Sequence, residues 1–323
     1  MTKNVNEKIR PNKPQRVTIA IPTFNRSKLL ARAISSALAQ NYFDIEIIVS
    51  DNCSTDNTRE YLSRLCDLKL KILLQENNVG MAKNWDACLE MATGEYFLLL
   101  SDDDYFIDSN AIEKFVHCMS KHDNKTQHRV AISGVCLDGG RLKPSFANTK
   151  TQVLSSFEAL SDALNGVLTV FPCATMLCTD DIRELGGYSA SHAALAVDAY
   201  VWQSICLKTG GLIKIDEPLV YYMLHQSESA RSVQVWERDL AILTYMIANL
   251  SVKYFTVQQH QVILKLINCA TLRFPLSVIK RNWLYGRKYS TYDLLSDLWI
   301  YKSRIFKSVL AFYIPRYIGK IIK

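Results

Sequence analysis

Read as apolar and polar positions, the first half of the chain alternates between short apolar runs and stretches with helical spacing. The run VTIAI at 17–21 precedes SKLLARAISSALAQ at 27–40, where apolar residues at 29, 30, 33, 34, 37 and 38 form one helix face. The alternation repeats with strands expected at 45–50, 70–75, 96–100 and 129–135, and helices at 58–65, 80–92 and 111–119. Strands separated by helices of this length pair in parallel through right-handed crossovers. The pattern therefore predicts an α/β fold with a doubly wound, mostly parallel central sheet. Ligands of such sheets lie beyond the carboxyl ends of the strands. The polar segments PTFN, DNCSTD, ENNVG and SDDD follow the first four strands and so converge on one crevice.

From 151 the pattern loosens. A helix is expected at 157–164, a strand at 171–178 and a short helix ending in glycine at 183–188. A longer helix at 197–211 comes next, then a strand pair or a strand and loop at 212–225, and from about 235 the chain turns helical and basic. Three parts follow: a flexible polar tail over 1–15, an α/β domain over 16–235 and a basic helical region over 236–323. The tail lacks the apolar core of a signal peptide. The longest uncharged run, 163–179, is broken by Asn165, Gly166 and Pro172 and makes a poor membrane span.

With 49% hydrophobic and 21% charged residues, wholesale disorder is excluded. The nine cysteines are scattered with no CxxC pair, which argues for a reducing compartment and against a disulfide framework or zinc site. From Arg273 onward eleven Lys and Arg stand against Asp293 and Asp297, a net charge of +9. The whole chain carries +7, so the first 272 residues sum to about −2.

Candidate chemistry gathers at the strand ends. In GEYFLLLSDDDYF an apolar strand runs into Asp102, Asp103 and Asp104. Hard oxygen ligands of this kind suit Mg²⁺ or Mn²⁺, which leave other coordination positions to phosphates and water. The competing reading is a solvated acidic loop that caps the helix at 111. Asp51 directly follows the second strand, and a carboxylate there can accept a nucleobase N–H. Asp56 reads equally as a helix cap, and Asp180 and Asp181 read as caps of the following helix. Asn78, Gly80 and Lys83 surround a helix start, where backbone N–H groups and a lysine can meet a phosphate; an ordinary turn is the plainer reading.

Together, IAIPTFNR, IIVSDNCSTDNT, NNVGMAKNWDACLEMATGEYFLLLSDDD and the later GGY and VDAYVW resemble family 2 glycosyltransferases of the GT-A fold, over about 16–225. The resemblance implies a nucleotide-diphosphate-sugar donor. Pro22, Thr23 and Asn25 then line the nucleotide pocket, Asp51 reads the base and the segment from Asn78 through Gly80 to Lys83 closes over the nucleotide. The family's metal motif is Leu-Asp-x-Asp-Asp; here Ser101 takes the first aspartate position. By analogy Asp102 faces the ribose, Asp103 holds the divalent cation and Asp104 supports it. Family members carry a catalytic base at a helix start, which maps to Asp198 with Trp202 one turn on; Val197 replaces the usual glutamate, and His192 is a weaker alternative. His225, Ser227 and Arg231 lie where the family has a loop that closes on the donor. No Gln-x-x-Arg-Trp occurs, which favours single-sugar transfer over polymerisation.

In SRIFKSVLAFYIPRYIGKIIK apolar pairs recur every fourth position beside Arg304, Lys307, Arg316, Lys320 and Lys323. Two readings stand: a stripe packed on the catalytic domain, or an interfacial helix on anionic lipid. Nucleic acid fits poorly, because the segment is apolar and carries no recognition motif. The expected activity is metal-dependent, inverting transfer to a lipid-linked glycan in surface-polysaccharide assembly. The expected place is cytoplasmic, peripheral on the inner membrane. The rivals are a sugar nucleotidyltransferase and a non-catalytic nucleotide-sugar-binding module.

Overall fold

The computed structural model describes residues 15–122, 129–137, 142–143, 151–223 and 233–284. The 1–14 portion of the tail, His225, Ser227, Arg231 and the basic segment from 285 lie outside the described residues. In chain order the first half runs β1 (Val17–Thr23), α1 (Ser27–Leu38), β2 (Ile45–Asp51), α2 (Thr58–Ser63), β3 (Leu70–Leu74), α3 (Met81–Met91), β4 (Tyr96–Leu99), β5 (Tyr105–Phe106), α4 (Ala111–His122), β6 (Val130–Leu137) and β7 (Leu142–Lys143). The second half runs β8 (Gln152–Ser155), α5 (Ser156–Leu164), β9 (Thr175–Cys178), α6 (Thr179–Glu184), α7 (Val197–Thr209), β10 (Gly211–Tyr222), α8 (Val233–Tyr254) and α9 (Val257–Leu284).

The described strands form one 10-stranded sheet in the order β3-β2-β1-β4-β9-β6-β10-β5, with β7 on β6 and β8 on β10. β3, β2, β1 and β4 are parallel, as the alternation predicts. The fifth expected strand, β6, does not join β4. β9 inserts between them, antiparallel to both. All four residues of β9 are buried, which suits an interior strand covered on both faces. Where a strand pair or a strand and loop is expected at 212–225, the described residues form one strand, β10, with register shifts on either side of Pro218 where it meets β6. Proline has no ladder N–H to give there. The short antiparallel strands β5, β7 and β8 carry no clear period of their own.

Alternation along the strands divides the core between the two sheet faces. Ile19, Ile21, Ile47 and Leu98 pack with α1 and α4 through Leu30, Ile34 and Phe115. Ala20, Ile48, Phe97 and Leu99 face Trp85, Trp202 and Ile205 on the other side. Ile247 of α8 and Ile263 and Ile267 of α9 belong to that second cluster, so the described part of the helical region packs on the α/β domain. α7 lies beneath them with nine of its 13 residues buried, including Ser204 and Thr209. Among the described residues no helix is long and apolar enough to cross a membrane.

At the amino ends of the strands, Glu46 accepts from Thr18 Oγ1 at 2.5 Å, Thr93 Oγ1 at 2.8 Å, Gly94 N–H at 3.1 Å and Lys71 Nζ at 2.7 Å. A Cβ on Gly94 would fall 2.6 Å from Thr18 N, so this close approach needs glycine. Asp180 and Asp181 do not cap α6; both lie in its first turn, and its N-cap position is Cys178. Asp181 is buried and pairs with Arg129 and Lys208. Its carboxylate ties α6 to β6 and α7, a tertiary role that helix-end composition does not reveal.

Candidate active site

The loops after β1, β2, β3 and β4 meet at the carboxyl edge of the sheet through side-chain to backbone bonds. Asn25 adopts a left-handed backbone conformation, φ 55°, which asparagine tolerates. Its N–H donates to Ser54 Oγ at 2.8 Å, and its amide oxygen accepts from the N–H of Thr55 at 2.7 Å and of Asp56 at 3.3 Å. Asp56 in turn accepts from the N–H groups of Thr58 and Ser27, so it ties the starts of α2 and α1 together. Asn78 Oδ1 accepts from Asn52 Nδ2 at 3.0 Å and Gly80 N–H at 3.0 Å, while Val79 N–H donates to Asn52 Oδ1 at 2.9 Å. Gly80 opens α3 at φ 85°, in the left-handed region that favours glycine. Lys83 is exposed on the first turn of α3, and Pro22 is half-buried beside Thr23.

Asp51 is fully buried. It accepts from Arg59 Nε at 2.8 Å and from Ser54 N–H at 3.2 Å.

The aspartate triplet is not a solvated loop. Asp102, Asp103 and Asp104 are 5%, 8% and 1% exposed. Thr23 Oγ1 donates to Asp102 Oδ2 at 2.8 Å. One nitrogen of Arg26 donates to Asp102 Oδ1 at 3.1 Å and to Asp103 Oδ2 at 2.6 Å. Arg32 lies over the Tyr105 ring, 4.2 Å from its centroid, and donates to the Asp103 carbonyl at 3.1 Å. Met223 N–H donates to Asp104 Oδ1 at 2.9 Å, while Asp104 Oδ2 is buried with no nitrogen or oxygen partner and the buried Cys173 thiol lies against the same carboxyl. Burial and the neighbouring Asp103 charge push the Asp102 carboxyl up to about 6, against Arg26 and Thr23. The same two causes push Asp104 up to about 8. Negative charge at this strand end exceeds what Arg26 alone offsets.

Among the described residues no group of three or more His, Cys, Asp or Glu is arranged as a ready metal cage. The donor set nonetheless fits a hard divalent cation: adjacent carboxylates at a strand end, one buried oxygen with no nitrogen or oxygen partner, and a guanidinium already drawn to Asp103. Arg26, Arg32, Asn52 and Arg59 are the site residues that motif reading missed. The signal for Arg26 was charge complementarity, an arginine next to PTFN at the strand end adjoining the acidic one.

Asp198 is the second residue of α7 and is half-buried. It lines a small open depression with Leu99, Thr175, Tyr188 and Trp202 among its walls. Burial pushes its carboxyl up to about 6, opposed by the N–H of Ala199 and its own N–H. Leu99 is the last residue of β4, three before Asp102, so the pocket adjoins the strand that carries the triplet. His192 is exposed at φ 54° and is not among the pocket's walls.

A parallel sheet with acidic residues at the end of its fourth strand, completed by an antiparallel insertion, is the architecture of GT-A glycosyltransferases. S. aureus TarS in complex with UDP shares it at a TM-score of 0.62 and 18% identity, covering 78% of this chain and 71% of that one. The mannosyltransferase PcManGT from Pyrobaculum calidifontis, solved with GDP-Man and Mn²⁺, shares it at a TM-score of 0.58 and 15% identity, covering 92% and 84%. The family model for Glycosyl transferase family 2 matches residues 18–183, and the chain belongs to that family. A curated relative is the Escherichia coli UDP-Glc:alpha-D-GlcNAc-diphosphoundecaprenol beta-1,3-glucosyltransferase WfgD, 33% identical over 107 residues. That match spans 33% of this chain and 42% of the relative, less than half its length.

Proposed function

We propose that this protein transfers a single sugar, with inversion, from a nucleotide-diphosphate sugar to a lipid-linked glycan during bacterial surface-polysaccharide assembly. One observation carries the reading: Asp198 lines a pocket whose wall includes Leu99, on the strand that leads into Asp102, Asp103 and Asp104. Acceptor activation and diphosphate binding thus have neighbouring seats. The acceptor named in WfgD, a diphosphoundecaprenol-linked sugar, supports the lipid-linked class.

In this reading Asp198 takes the proton from the acceptor hydroxyl as its oxygen bonds to the anomeric carbon. The bond from that carbon to the diphosphate breaks, and the electron pair leaves with the nucleoside diphosphate. Asp103 and Asp104 would hold Mn²⁺ or Mg²⁺, which when bound would supply charge stabilisation to the leaving diphosphate; the Mn²⁺ in the Pyrobaculum neighbour supports a cation here. Asp102 faces the ribose, and Pro22, Thr23, Asn25, Asp51 and the segment from Asn78 to Lys83 shape the nucleotide pocket. The catalytic domain spans 16–235, and the basic region beyond it brings the enzyme to anionic lipid on the cytoplasmic face.

The test pairs a thermal-shift panel of UDP-, GDP-, CDP- and dTDP-sugars, with and without Mn²⁺, with transfer to a polyprenyl-diphosphate-linked N-acetylglucosamine. A donor that binds only the folded chain raises its melting temperature. A Mn²⁺-dependent shift with one nucleotide class and formation of a lipid-linked disaccharide are expected. No shift with any donor overturns the reading.

A further inference from the structure

Asp239 lies on α8, and its carboxylate is fully buried. It accepts from three consecutive backbone N–H groups: Ala194 at 2.9 Å, Leu195 at 2.5 Å and Ala196 at 3.0 Å. These residues immediately precede α7, which carries Asp198 in its first turn. Helix starts leave N–H groups without partners, and a serine, threonine or aspartate at the N-cap normally serves them. Here Ala196 occupies that position and has no side-chain acceptor. An anion from a helix 43 residues further on answers the approach to α7 instead. Negative charge is favoured at this end of a helix, and a buried charge-assisted bond is strong and directional. The other end of the same loop is held separately, by Asp86 accepting from Tyr188 N–H at 2.6 Å and Ser189 N–H at 3.0 Å.

We propose that Asp239 is a positioning residue for the transfer reaction, holding the 194–196 segment so that Asp198 meets the acceptor hydroxyl in the pocket. This rests on the base role of Asp198 proposed above. Proton transfer needs donor and acceptor within hydrogen-bond reach, and small misplacements cost large factors in rate. The nucleotide-side loops are held by Asn25, Asn52 and Asn78, independently of Asp239. Loosening the start of α7 therefore lowers kcat and spares donor binding. The helical region beyond 235 contributes to the catalytic centre through this residue.

The test uses Asp239→Asn, Asp198→Asn and the double variant in the full chain, with kcat, donor dissociation constant and thermal unfolding measured together. Asparagine keeps the size and one acceptor oxygen but turns an NH₂ towards backbone N–H groups. The expected result is cooperative unfolding, donor affinity within about twofold of wild type and a kcat lower by about 10- to 100-fold. A residue that acts through Asp198 adds nothing once the base is gone, so the double variant is expected to be no slower than Asp198→Asn. Wild-type kcat in Asp239→Asn, a parallel loss of donor affinity, or a loss that adds to that of Asp198→Asn overturns the proposal. If Asp239→Asn does not fold, Asp239→Glu, which keeps the charge on a longer arm, carries the same comparison. Asp198→Asn with wild-type kcat removes the base role itself, and this proposal with it; absent transfer by the wild-type chain instead strikes the function proposed above.

Discussion

Arg26 donates to Asp103 Oδ2 at 2.6 Å, so the loop after the first strand supplies a cation to the acidic end of the fourth. A divalent cation held by Asp103, as proposed above, would compete with the guanidinium for the same oxygen. Removing Arg26 takes a charge-assisted bond from each of two buried carboxylates, a cost of about 2 kcal/mol. Arg26→Ala is therefore expected to melt several degrees below wild type in EDTA, and the gap is expected to narrow in excess Mn²⁺. Differential scanning calorimetry decides this. An identical gap in both conditions means that Asp103 does not take the cation.

Asp198 gives a prediction in pH. The base accepts a proton only as carboxylate, and burial raises its pKa to about 6. The rate is expected to fall about tenfold per pH unit below that value and to level off above it. Asp198→Asn is expected to lose about 10²- to 10⁴-fold in kcat with donor affinity retained. A profile flat down to pH 4.5 in the wild type assigns the proton to another group.

Glu46 gives a prediction in stability at the opposite edge of the sheet. Hydrogen bonds from Lys71, Thr18 and Thr93 outweigh the desolvation that opposes them, and hold its carboxyl at about 2, below its ordinary value of 4.5. A depressed carboxylate stabilises the fold fully above its unfolded pKa and loses that contribution as pH falls through the folded one. Glu46→Gln is expected to cost about 2 kcal/mol at pH 7. The difference from wild type is expected to shrink between pH 4.5 and pH 2 in urea titrations; a constant difference removes the ionic explanation.

Two truncations separate packing from docking. Ending the chain at 235 removes Asp239, Ile247, Ile263 and Ile267, all buried against the α/β domain. That chain is expected to be insoluble or to lack cooperative unfolding. Ending it at 284 is expected to keep the melting temperature within a few degrees and to lose co-sedimentation with phosphatidylglycerol vesicles, because the +9 segment is mostly gone. Undiminished vesicle binding by the 284 chain places the lipid contact elsewhere.

Much of the scaffold was legible in the chain because its strands are short apolar runs and its helices carry a local period. β1, β2 and β4 are short continuous apolar runs, α1, α3 and α4 carry one-sided apolar stripes, and parallel pairing follows from the helices between the strands. β9 shows where that logic stops. Its four apolar residues announce a buried strand, but its place between β4 and β6 depends on partners far along the chain. Asp181 was misread for the same reason: an aspartate in a helix's first turn looks like a cap until Arg129 and Lys208 arrive from other elements.

By itself the sequence determined the family and which loops meet at the carboxyl edge of the sheet, since strand ends and motif order are local properties. Only the tertiary structure decided how those residues are held. Arg26 bridges Asp102 and Asp103, Arg59 covers Asp51, and Asp239 grips the segment before Asp198 across 43 residues of chain. Each of these is a charge meeting a partner remote in sequence, and burial gives such a meeting its strength. A periodic pattern records which face of an element is covered, but not which side chain will cover it.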